Sequence, residues 1–141
     1  MPLVILIVDD YVDSAEALCQ LLTHLGYPCQ WLSNGHEAIA FIRSYPPEQP
    51  LLVVLGEMMP DITGIDALKQ LRVDERTKHT AVILYSAGFD LAKRDEALTL
   101  GAVAWVMKGG GAGHGIDSVI NTIVQWYTKV GGVSQCAQTD K

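Results

Sequence analysis

Cysteine is scarce and poorly spaced. Cys19, Cys29 and Cys136 are the only three. The count is odd and no C-x-x-C spacing occurs, which speaks against a disulfide framework and a zinc site. Cys19 and Cys29 read instead as small core fillers. Positive charge is also short. Ten Lys and Arg stand against 16 Asp and Glu, leaving a net charge of −6. That argues against a general nucleic-acid or anionic-membrane surface. No apolar run approaches the roughly 20 residues of a membrane span. The opening "MPLVILIVDD" lacks the basic segment and cleavage site of a secretory leader. A reduced, cytoplasmic protein is the expectation.

What is present suits one folded domain. In 141 residues, 49% are hydrophobic and 18% charged, enough for a core and too little charge for disorder. Short apolar runs alternate with helix-period stretches. Leu3–Val8, Pro28–Leu32, Leu51–Leu55, Ala81–Tyr85 and Ala102–Met107 read as five strands. Between and after them lie five helical patterns. Ala15, Leu18, Leu22 and Leu25 mark the first, with Asp13 and Glu16 at capping-box spacing and Gly26 at its C-terminus. Asn34 and Glu37 open the second, which runs to about Tyr45 before the prolines of "PPEQP" stop it. Ile65, Leu68 and Leu71 mark the third, and Asp90 caps the fourth. Ile116, Val119, Ile120, Ile123, Val124 and Tyr127 form the cleanest amphipathic stripe. The domain is expected over residues 1–130, with 131–141 ("GGVSQCAQTDK") a disordered tail or the start of a linker.

Short buried strands joined by helices require parallel crossovers. The expected fold is an α/β, flavodoxin-like (βα)5 doubly wound parallel sheet with strand order 2-1-3-4-5. Ligand chemistry in such sheets sits at the carboxyl ends of strands 1 and 3, where the order switches. The residues ending the strands are therefore the candidates. They are Asp9 and Asp10 after strand 1, Gly56 and Glu57 after strand 3, Ser86 after strand 4 and Lys108 after strand 5. Adjacent aspartates repel unless a cation offsets them, and oxygen ligands of this kind suit Mg2+. Lys108 would neutralise a phosphoryl group or pair with Asp10. Asp13 reads as a helix-terminal charge only.

The motifs "ILIVDD", "MMPDITG", "VILYSAG" and "GAVAWVMKG" stand in the order and spacing of response-regulator receiver domains. The resemblance covers about Leu3 to Lys129. It implies a module of two-component, phosphorelay signalling rather than an enzyme, and assigns an Mg2+-holding acidic pair to Asp9 and Asp10. Phosphoryl-contacting roles fall to Ser86 and Lys108, and a switch aromatic to Trp105. The family's phosphoacceptor aspartate stands four residues before the Pro of the "MP" turn, and here that position is Gly56. Glycine has neither nucleophile nor metal ligand, so the usual aspartyl phosphorylation should fail. The metal site, reduced to Asp10, Asp9 and the carbonyl of Met58, should be weak or absent.

Glu57 lies one residue on, where strand alternation turns it away from the site. It reads as a solvated or lysine-paired glutamate, with an internal anion near Lys108 as the lesser reading. Gly109 replaces the proline that usually follows the strand 5 lysine, so that peptide is expected to be trans. "GGGAGHG" after it reads as a flexible loop, with His114 at the surface.

The resemblance thus implies a receiver-like signalling module that works by protein–protein contact, through the surface of helix 4, strand 5 and helix 5. Its partners would be a histidine kinase or an output domain, with weak homodimerisation through the same face, and neither nucleic acid nor membrane directly. Trp126 is a candidate contact residue or packs near the tail. Two alternatives stay open. One is an ordinary phosphorelay receiver by descent whose acceptor was lost or substituted. The other is a flavodoxin-like cofactor-binding protein, against which the three acids of "DDYVD" stand, since they would repel a phosphate.

Overall fold

The computed structural model describes residues 3–108 and 114–132. The chain runs β1 (Val4–Val8), α1 (Val12–His24), β2 (Cys29–Leu32), α2 (Gly35–Ser44), β3 (Leu51–Gly56), α3 (Gly64–Val73), β4 (Ala81–Ser86), α4 (Leu91–Thr99), β5 (Ala104–Met107) and α5 (His114–Lys129). All strand pairs are parallel and the sheet order is β2-β1-β3-β4-β5. This is the expected flavodoxin-like fold.

Strand alternation divides the core in two. Ile5, Ile7, Leu52, Val54, Ile83 and Tyr85 face Leu18 and Leu22 of α1 and Val119 and Ile123 of α5. Leu6, Val8, Val53, Leu55, Val82 and Leu84 face Ile39, Leu68, Leu71 and Ala97 on α2, α3 and α4. A residue of this sheet therefore declares its layer by parity.

Helix ends follow local chemistry, with one departure. The Asn34 side chain accepts from Glu37 N–H, Thr63 from Asp66 and Asp90 from Lys93. The Asp13–Glu16 capping box does not form. Helix α1 starts at Val12 behind Tyr11, which offers no side-chain cap. The reason is local: Asp9 Oδ1 accepts from Tyr11 N–H at 3.0 Å, an Asx-type turn that starts the helix earlier. Pro28 falls outside β2, as a residue without N–H would, though its carbonyl still accepts from Ile5 at 2.9 Å.

Helix α4 is lightly seated. Ala97 is its one buried residue. Charged contacts hold it instead: Lys69 Nζ lies 2.9 Å from Glu96, and Lys93 Nζ 3.5 Å from Glu57.

Candidate functional site

The register sets Val8 opposite Leu55 and Leu55 opposite Leu84. Asp9, Gly56 and Ser86 thus end three neighbouring strands at one edge. Asp9 is 3% exposed. Its Oδ1 accepts from Tyr11 N–H, and its Oδ2 lies 2.6 Å from Lys108 Nζ. That contact is charge on charge, off the hydrogen-bond direction, and Oδ2 has no other donor. The Asp9 carbonyl accepts from the Trp31 indole at 3.0 Å, which fixes the turn from behind.

Lys108 is brought in by β5. Its N–H donates to the Ser86 carbonyl at 2.7 Å, extending the β4–β5 ladder. Its ammonium also stands 5.5 Å from the centre of the Tyr85 ring. The Tyr85 hydroxyl is pushed above its ordinary pKa, first by burial and then by the Asp9 charge. Lys108 therefore pairs with Asp9 rather than Asp10. Asp10 lies past the strand end and is exposed.

Gly56 is buried beside this pair. A β-carbon there would stand 3.1 Å from the Val8 carbonyl oxygen and 3.8 Å from Asp9 Cγ. Any side chain at Gly56 would thus enter the space beside the Asp9 carboxylate. Ser86 Oγ accepts from Gly88 N–H at 3.2 Å, an ST-type turn. Trp105 is half-buried against the α2–α4 layer, and its indole N–H is buried without a partner. The Met58 side chain is 70% exposed. The structure thus brings Asp9, Gly56 and Lys108 together, joins Ser86 to Lys108 through the backbone, and leaves Asp10 and Met58 exposed.

Glu57 points the other way, as its parity requires. It is 4% exposed, accepts from Ile65 N–H at 3.1 Å and pairs with Lys93 on α4. It is an internal anion, but its cation is Lys93 and not Lys108. Burial raises its pKa, and the Ile65 N–H and Lys93 only partly offset that. Asp61 is the better-served carboxylate. Burial works against its charge, but N–H groups of His36, Gly35 and Ile62 outweigh it and hold the pKa down at about 2. It also pairs with His36 Nδ1 at 2.8 Å, and so fastens the loop after β3 to the start of α2. The expected trans bond at Gly109 and the glycine-rich loop lie outside the described residues, as does the His114 side chain.

Residues 5–119 match the family model of the response regulator receiver domain. The chain belongs to that family. The receiver is 35% identical over 104 residues to the probable transcriptional regulator ycf27 of Porphyra purpurea, covering 74% of this chain and 40% of that protein. It is likewise 35% identical over 108 residues to the chemotaxis protein CheY of Pseudomonas aeruginosa, covering 74% of this chain and 82% of CheY. The chain thus spans about two-fifths of the length of the curated transcriptional regulators it matches.

Among solved structures, the Francisella response regulator 1452 receiver domain superposes with a TM-score of 0.77 at 25% identity, over 92% of this chain and 99% of that one. CheY in the CheX–CheY–BeF3–Mg2+ complex of Borrelia burgdorferi gives 0.77 at 26% identity, over 90% of each chain. The chain is a receiver of two-component signalling. Among the described residues, no helix is long and apolar enough to cross a membrane.

Proposed function

We propose that this receiver signals without aspartyl phosphate and acts through protein–protein contact. The observation that carries the reading is Gly56 at the tip of β3, beside an Asp9 already neutralised by Lys108 at 2.6 Å. Phosphoryl transfer to a receiver needs an in-line carboxylate. At Gly56 there is none. Glu57, the nearest carboxylate in sequence, is engaged with Ile65 and Lys93 in the other layer.

Mg2+ fits this donor set poorly. It would require Asp9 and Asp10 with the Met58 carbonyl, and Asp9 already has Lys108 on one oxygen and Tyr11 N–H on the other. No group of three or more His, Cys, Asp or Glu suited to a metal gathers among the described residues. An entering dication would have to displace the lysine. The ion pair instead supplies internally the charge balance that a metal would give.

The contact surface we assign is α4, β5 and α5. Helix α4 contributes little to the core, and Leu91, Leu98 and Met107 stand exposed on α4 and β5. A partner would select among positions of α4, held by two ion pairs, in place of a phosphoryl group. The partner class we assign is a histidine kinase or an output domain, in the cytoplasm.

The test is beryllofluoride with Mg2+, read in amide NMR spectra. The native chain should show no shifts at Asp9, Ser86 or Lys108, whereas Gly56→Asp should show them. Shifts of equal size in both proteins would overturn the reading. So would none in either, since the pocket would then not be built for an acceptor.

A further inference from the structure

At the amino end of the sheet, opposite Asp9 and Lys108, lies a cavity of about 490 Å³. It sits below Leu51 and Ala81, the first residues of β3 and β4. The end of α2 and the α3–β4 loop flank it, and Trp126 of α5 closes a further side. Ile42, Pro46, Pro50, Leu51, Ala81 and Trp126 make its walls largely apolar. Its size is that of a small-molecule site.

The walls are held in place. The Tyr45 ring stacks on Phe41 with centroids 5.7 Å apart, and Trp126 on Tyr127 at 6.1 Å. In the α3–β4 loop, Thr80 N–H donates to the Thr77 carbonyl at 3.0 Å, and Arg72 Nη1 donates to the Thr80 carbonyl at 2.9 Å.

Two polar features of this frame are incomplete. The Tyr45 hydroxyl is buried and has no hydrogen-bond partner, which is costly unless an acceptor arrives. Asp74, meanwhile, serves two guanidiniums on the lining. Arg43 Nε donates to its Oδ2 at 2.9 Å, but Arg76 Nε stands 3.8 Å from Oδ1, too far for a hydrogen bond. Glu75 is the one carboxylate on the lining, and Lys78 pairs with it at 2.9 Å. The mouth therefore holds a guanidinium without a full anionic partner, on a chain of net charge −6.

We propose that this cavity is a binding site for a small aromatic carboxylate. Its ring enters between the prolines and Trp126, and its carboxylate takes the Arg76 guanidinium at the mouth. The ligand's oxygens also offer the Tyr45 hydroxyl the acceptor it lacks. Inorganic phosphate would leave the apolar walls unfilled, and two arginines on the lining disfavour a cation.

The experiment titrates 2-naphthoate into the full chain, with 2-naphthalenemethanol as its neutral counterpart, and follows amide and indole N–H signals by NMR. Naphthoate should give saturable shifts at Tyr45, Thr80, Ala81 and the Trp126 indole, with a Kd on the order of 1 mM or tighter. Asp9 and Lys108 should not shift. The alcohol should bind at least ~3-fold more weakly. Arg76→Gln changes an exposed side chain. It should weaken naphthoate about 3-fold and leave the alcohol as it was. Shifts still linear at ~10 mM, equal affinities for the two compounds, or no effect of Arg76→Gln would overturn the proposal. So would shifts at the same residues on raising the protein concentration alone, which would assign the cavity to a second copy of this chain.

Discussion

The Lys108 ammonium stands 2.6 Å from Asp9 Oδ2, and that carboxylate is 3% exposed. The lysine is the more open partner, with its side chain 25% exposed. This pair joins the ends of β1 and β5 across the tip of β3, where Gly56 contributes no side chain.

Removing the lysine strands a buried charge. Lys108→Met should cost about 1–3 kcal/mol, below the full buried-pair penalty because the ammonium reaches solvent. Adding Asp9→Asn to that variant should recover part of the loss. Urea unfolding of the two single variants and the double variant measures the coupling. Strict additivity would show that the pair contributes no coupling.

Glu57 should make stability fall as pH rises. Its folded pKa is above the ordinary carboxylate value, because burial outweighs its hydrogen bond and Lys93. The folded state thus holds the proton more tightly than the unfolded chain. The stability this gives is fully present below the unfolded pKa and is lost as pH climbs through the folded one. Glu57→Gln should remove that slope. Chemical-denaturation midpoints across pH 4 to 7 test it (about the carboxylate range), and an unchanged slope would rule Glu57 out as its source.

Asp61 has the opposite sign. Its folded pKa of about 2 lies below the ordinary value, so its contribution is present above the unfolded pKa and lost as pH falls toward 2. Asp61→Ala also strips acceptors from the N–H groups of Gly35 and His36 at the start of α2. The loss should be about 1 kcal/mol, as for a helix N-cap. Equal thermal midpoints at neutral pH would contradict it.

Lys93 should matter to α4 more than to global stability. Lys93→Ala frees the helix from Glu57 and leaves that carboxylate without its cation. Amide exchange in α4 should accelerate up to ~5-fold, about 1 kcal/mol of local opening, while α3 is little changed. Uniform acceleration throughout the chain would show that Lys93 is not a local tether.

Periodicity made the fold readable. Both layers follow from parity, and the same rule turned Glu57 away from Asp9 without knowledge of its partner. Asn34 and Asp90 cap as their spacing suggests, because a cap is decided within three residues. What stayed hidden is what distant segments decide. Lys93 and Glu57 meet only because α4 packs near the end of β3. Lys108 meets Asp9 rather than Asp10 because Asp9, whose N–H still bonds the Leu32 carbonyl beyond β1, is turned into the buried edge while Asp10 is exposed. The Asp13–Glu16 spacing misled because the Asp9 carboxylate, four residues upstream, had already started the helix at Val12.

The most direct measurement is intact mass after incubation with acetyl phosphate and Mg2+, on the native chain and on Gly56→Asp side by side. The prediction is an unchanged mass for the native receiver and the gain of one phosphoryl group for the variant. A phosphoryl group on the native chain, on Glu57 or any other carboxylate at this edge, would contradict the account.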